Sequence, residues 1–142
     1  MATVELRFSA LPEHVRTARL VAAAVARRAG VDEAVLDEVR LAVGEACTRA
    51  VGLHLSNGVD APVRVALTEE EKKFSIEVGD ESPTSAGHAP GSHPDVDDEA
   101  ESEDEMGLAV ISGLVDDVEV TTSETGGVIR MSWPASPQSP VP

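Results

Sequence analysis

Aromatic residues are almost missing from this chain. Its 142 residues hold Phe8, Phe74 and Trp133, and no tyrosine, so a core must be assembled from valine, leucine, isoleucine and alanine. There is one cysteine, Cys47, which excludes an internal disulfide and any cysteine-rich metal site; its plain reading is a small buried residue. No run of about 18 apolar residues occurs, and the opening MATVELRFSALPEHV lacks the apolar segment of a secretory leader. A soluble, cytoplasmic protein is expected. Cations are also scarce: 11 lysines and arginines against 26 acids give a net charge of −15. Such a field repels nucleic-acid phosphates and anionic membranes. The chemistry favours a protein partner with basic patches.

What is present suffices for one domain. Hydrophobic residues make up 42% of the chain, above what a disordered segment carries. TVELRFSA (3–10) alternates apolar and polar residues, as a half-buried strand does. Pro12 suits the first turn of a helix that runs to about Ala29 and stops at Gly30. Its periodicity puts Leu11, Val15, Ala18, Ala22, Val25 and Ala29 on one face. Arg16, Leu20, Ala23 and Arg27 fall on the other, with Arg19 on the flank. Asp32 suits the N-cap of a second helix over about 33–55. Val35, Val39, Val43, Ala46 and Ala50 line its core face, and Glu38, Glu45 and Arg49 lie away from it. SNGVDAP (56–62) is a break. VRVALTE (63–69) and KKFSIEVGD (72–80) read as strands joined by a short charged turn.

Composition then changes. Residues 81–105 hold no aliphatic residue but Val96 and three alanines, and 95–105 carry eight acids: Asp95, Asp97, Asp98, Glu99, Glu101, Glu103, Asp104 and Glu105. This stretch reads as a mobile acidic loop within one domain, since patterned sequence resumes after it. His88 and His93 lie there, where solvation is the plain reading. MGLAVISGLVD (106–116) reads as a short helix. DVEVTTSE and GGVIRMSW read as a hairpin around Gly126–Gly127. The tail 134–142 is Pro/Ser-rich and reads as disordered. The order strand, helix, helix, two strands, loop, helix, two strands predicts an α+β two-layer sandwich: a mixed, mostly antiparallel sheet with three helices on one face.

Five segments in this order carry a resemblance. LRFSALPEHVRTAR, DEVRLAVGEACTRAV, FSIEVGDESP with MGLAVISGLVDDVEV, and GGVIRMSW resemble the anti-sigma-factor serine-kinase family of the GHKL ATPase superfamily. The likeness covers residues 3–133. It implies a Bergerat-type ATPase fold, ATP or ADP with Mg²⁺ as cofactor, a homodimer, and partner switching with a sigma factor and a STAS-domain anti-anti-sigma antagonist.

The residues depart from that pattern at the nucleotide. The resemblance places the general base at Glu45 and the Mg²⁺-binding asparagine at Arg49. A guanidinium has donors only and cannot ligate a cation. The spacing of Glu45 and Arg49 predicts a helical ion pair. Asp80 matches the adenine-reading aspartate, but the glycines that follow it in the family are here Ser82 and Thr84. In the second glycine box only Gly107 remains, with Glu105 in place of the first glycine. The family's closing Thr-Thr becomes Gly127 and Val128. Together these departures argue against phosphoryl transfer, which depends on the metal and on positioning. Arg19 matches a first-helix arginine that in the family contacts a partner's acidic surface; Arg16, Arg19, Leu20 and Arg27 are the expected docking face. The expectation is a regulator that binds a sigma factor or STAS antagonist with no cofactor, no metal, no nucleic acid and no membrane contact. The alternative is an active ATP-dependent serine kinase. Nothing is carried over to His54, which is displaced by one residue from a family histidine.

Overall fold

The computed structural model describes residues 2–82, 110–115 and 117–136. The first strand, β1 (Ala2–Phe8), leads into helix α1 (Pro12–Ala29), a 3₁₀ turn (Glu33–Val35) and helix α2 (Leu36–Asn57). Strands β2 (Val63–Glu69) and β3 (Lys73–Asp80) follow; after a short helical stretch at 110–114 come β4 (Asp117–Ser123) and β5 (Gly126–Pro134). The five strands form one sheet in the order β1-β2-β3-β5-β4, and every neighbouring pair is antiparallel.

Strand alternation sorts the sheet into two faces. Val4, Leu6 and Phe8 of β1, Val63, Val65 and Leu67 of β2, Phe74, Ile76 and Val78 of β3, and Ile129, Met131 and Trp133 of β5 point toward the helices and join one core. Ile111 and Val115 join the same core. Phe74 and Trp133 sit opposite one another in register and stack at 6.3 Å between ring centroids. These two of the chain's three aromatics supply bulk at one end of the layer. Each fully buried large side chain stabilises the fold by roughly 1.5–3 kcal/mol. The other sheet face carries Arg7, Arg64, Glu77, Arg130 and Glu119 and is polar.

Both helices end as their sequence dictates. Gly30 takes φ 96°, and the amides of Gly30 and Val31 return to the carbonyls of Arg27 and Ala26, the double closure that a left-handed glycine permits. Gly58, at φ 64°, closes α2 onto the His54 carbonyl.

Several expectations need correction. Asp32 caps the 3₁₀ turn, accepting from the Ala34 amide at 3.0 Å, and α2 proper starts at Leu36. Leu11 lies just before α1 and is exposed, while Ala23, placed outside by periodicity, is buried. α1 packs on both α2 and β2, and its small alanines let a broad arc come close. The β4–β5 turn is centred on Glu124 and Thr125, so Gly126 and Gly127 open β5. Ala135 and Ser136, assigned by composition to the tail, are held by hydrogen bonds to the carbonyls of Lys72 and Gly30, and Ala135 is buried. Most of the acidic stretch, with His88, His93 and Thr84, lies outside the described residues, as do Glu105, Gly107 and 137–142.

Cys47 is fully buried on α2, and burial pushes its thiol up from 9.0 to about 12. The unfolded chain therefore releases this proton above 9.0 while the folded chain keeps it to about 12. Stability should fall with rising pH across that window by about 1.4 kcal/mol per pH unit more than in Cys47→Ala. Urea unfolding of both proteins through the window checks this; parallel pH profiles would contradict it.

Candidate functional site

The end of β3 is the point where the sheet, α2 and the start of β5 converge. Asp80 is the last residue of β3, pairs in register with Gly127 of β5, and points toward the helix layer. From α2, Arg49 brings Nη1 to 4.0 Å from Asp80 Oδ2; the two side chains are only 9% and 3% exposed. The other carboxylate oxygen, Oδ1, accepts from the Ser82 amide at 2.9 Å. Oδ2 lies over Gly127, 3.1 Å from where a Cβ would stand. Gly126, at φ 147°, is tighter: a Cβ there would fall 2.0 Å from the Asp80 carbonyl oxygen. The two glycines thus let the β5 backbone close around the aspartate.

The segment after Asp80 is fastened to the end of α2. His54 is fully buried and accepts at Nε2 from the Glu81 amide at 2.9 Å. A nitrogen that accepts carries no proton in neutral imidazole, so Nδ1 holds it and donates to the Ala61 carbonyl at 2.9 Å. One turn on, Asn57 donates from Nδ2 to the Ser82 hydroxyl and to the Leu53 carbonyl, both at 2.8 Å. Ser82 is itself fully buried. The serine that stands where the resemblance expects glycine is therefore a structural bolt.

The four-residue spacing of Glu45 and Arg49 does not produce the expected ion pair. Arg49 turns to Asp80, and Glu45 is half-buried with no ion-pair partner among the described residues. The reason is electrostatic: Asp80 is a buried charge that needs compensation, whereas Glu45 retains access to water.

On the outer side of the helix layer, Arg16 and Arg19 line a groove of about 340 Å³ between α1 and α2, with Val51 and Leu55. The Arg19 side chain lies across Gly44 of α2, whose missing Cβ would stand 2.7 Å from Arg19 Cδ. Leu20 is 60% exposed nearby in sequence, and Leu55 is equally exposed. Arg27, further along α1, faces Glu33 at 3.7 Å instead of joining the groove.

Residues 8–133 match the histidine kinase-like ATPase domain. The chain belongs to that family. Among curated relatives, the serine-protein kinase RsbW of Bacillus pumilus (strain SAFR-032) is 32% identical over 144 residues, covering 91% of this chain and 83% of that protein. The RsbW of Oceanobacillus iheyensis is 28% identical over 134 residues, covering 91% and 84%. In fold the chain is similar to the crystal structure of the RsbU and RsbW domains of Rv1364c from Mycobacterium tuberculosis. There the TM-score is 0.66 at 18% identity, over 96% of this chain and 34% of that longer one.

The family fold implies ATP with a divalent metal, and the described residues fit that group poorly. Arg49, at the metal-ligand position of the resemblance, offers no lone pair. Asp80 spends one oxygen on the Ser82 amide and sets the other beside Arg49. Among the described residues no group of three or more His, Cys, Asp or Glu could hold a metal ion. The described side chains at this end of the sheet hold a buried ion pair.

Sequence reasoning found Asp80 and Arg49 but not their pairing, because the two are 31 positions apart and only the fold joins them. It also passed over His54 and Asn57, whose one signal is their place just ahead of the Gly58 stop.

Removing one partner of a buried pair strands the other. Arg49→Met should cost about 3–5 kcal/mol of stability. Adding Asp80→Asn should recover most of that, because the amide Oδ1 still accepts from Ser82. A double-mutant cycle in urea separates this pair from other contacts of Arg49; a coupling near zero would sink the assignment.

Proposed function

We propose that this chain is an anti-sigma-factor-type regulator that works by binding. It engages a sigma factor, a STAS-domain anti-anti-sigma antagonist, or both in turn, as a homodimer and without hydrolysing ATP. The observation that carries the reading is the buried Arg49–Asp80 pair. A protein-supplied cation stands beside the aspartate that the resemblance assigns to adenine, at the position it assigns to the metal ligand. The RsbW relatives support the circuit, and the α1–α2 groove supports a docking surface. Arg16 and Arg19 are cations held on a strongly acidic protein, so they favour an acidic partner segment and suppress others. Exposed Leu55 at the groove and Leu20 on the neighbouring turn of α1 supply apolar area for an anchor.

A second reading, an active serine kinase, is favoured by one observation. Glu45 is not tied up by Arg49 and stays half-exposed, so its carboxylate remains free to act as a base. The relatives named serine-protein kinase point the same way.

The two readings separate in one assay. The purified chain is incubated with a STAS-domain protein and labelled ATP, and complex formation is followed in parallel. Binding without label transfer is the expected result. Transfer that disappears in Glu45→Ala would establish the kinase instead. Arg19→Ala should weaken partner binding about tenfold, or 1.4 kcal/mol. Gly44→Ala, which displaces the Arg19 side chain, should weaken it in the same direction. Affinity unchanged in both variants would remove the groove from the interface.

A further inference from the structure

On the sheet face away from the helices, β1 and β2 place Arg7 directly opposite Arg64, and Arg64 lies opposite Gly79 of β3. Like charges facing each other across a strand pair destabilise it. Arg7 is partly answered by Glu5, Nε to Oε1 at 2.9 Å. Arg64 has no ion-pair or hydrogen-bond partner among the described residues. Its guanidinium rests on the bare backbone of Gly79, with Nη2 3.1 Å and Nε 3.4 Å from where a Cβ would stand. A Cβ at 79 would push the guanidinium away by a few tenths of an ångström.

These two arginines form one wall of a cleft of about 370 Å³, and the β4–β5 turn, with Thr125 and Gly126, forms another. Glu81 contributes to the lining. The cleft borders the Asp80 site, since Asp80 and Gly127 also line it, but its arginine wall lies on the sheet face away from the helices. Its volume lies at the lower end of what small-molecule sites occupy.

We propose that this cleft binds a small oxyanion, a carboxylate or phosphate monoester, that also carries a hydroxyl or amino donor. Paired guanidinium forks match the planar or tetrahedral oxygens of such groups, and an anion between them removes the Arg7–Arg64 repulsion. Glu81 accepts from the ligand's donor and disfavours a bare polyanion. Thr125 Oγ1, 3.1 Å from Ser123 Oγ, lies on the facing turn. In a chain of net charge −15, two arginines beside a glycine floor concentrate cations locally, with Asp80 and Glu81 the acids of the same lining. The assignment goes beyond the partner-binding function, and neither depends on the other.

The test is an amide-resolved NMR titration of the whole chain with inorganic phosphate and, separately, with serine phosphate, at constant ionic strength. Saturable shifts are expected at Gly79, Glu81, Gly126 and Gly127, with serine phosphate binding more tightly. Arg64→Ala should weaken binding about tenfold or more, the scale of one hydrogen bond to a charged group. Absence of saturation with both anions would overturn the proposal, and so would shifts that persist unchanged in Arg64→Ala. If Arg64→Ala instead altered the dimer equilibrium while neither anion bound, the arginines would belong to a protein interface and the proposal would fall.

Discussion

A buried carboxylate at the end of β3 needs a cation, and α2 supplies it. The Arg49–Asp80 pair is the constraint around which this end of the molecule is arranged. It fixes the rotation of α2 over the sheet, because a helix turned by one residue would carry Arg49 away. It also demands room on β5, which Gly126 and Gly127 provide where a side chain would strike the aspartate or its carbonyl. Taking both charges out of water is costly, and only full hydrogen bonding offsets that cost. The Ser82 amide contributes one such bond to the aspartate. His54 and Asn57 then hold residues 81 and 82 against the end of α2, so that the carboxylate keeps its orientation.

That arrangement has a consequence for chemistry. A family fold that elsewhere frames a metal-bound nucleotide is here furnished with a resident cation, a bolted serine and a carboxylate facing inward. Two surfaces among the described residues point outward. One is the α1–α2 groove with Arg16 and Arg19; the other is the Arg7–Arg64 cleft on the far side of the sheet. Both present positive charge on an acidic protein. Local concentrations of cations of this kind are where specific association is steered.

Much of the fold could be read from the sequence because its signals are local. Strand alternation in VRVALTE, the Pro12 start and Gly30 stop of α1, and the helical period of Val39, Val43, Ala46 and Ala50 each need only a few neighbouring residues. The misreadings share a cause. Ala23 is buried because a second element reaches it, and Arg49 turns from Glu45 because Asp80 is brought near by tertiary packing. The turn between β4 and β5 sits two residues ahead of the glycine pair, because those glycines answer to Asp80 across the sheet and not to the turn itself. Arg64 and Gly79, adjacent only through strand register, carried no sequence signal at all.

We propose that Arg49 stands in for the nucleotide's metal at this site. Calorimetric titration of the chain with Mg-ATP tests it most directly. The account predicts no saturable heat through the micromolar range, in the wild type as in Asp80→Asn. Micromolar binding that is lost in Asp80→Asn would contradict it, and would return this chain to the nucleotide-using members of its family.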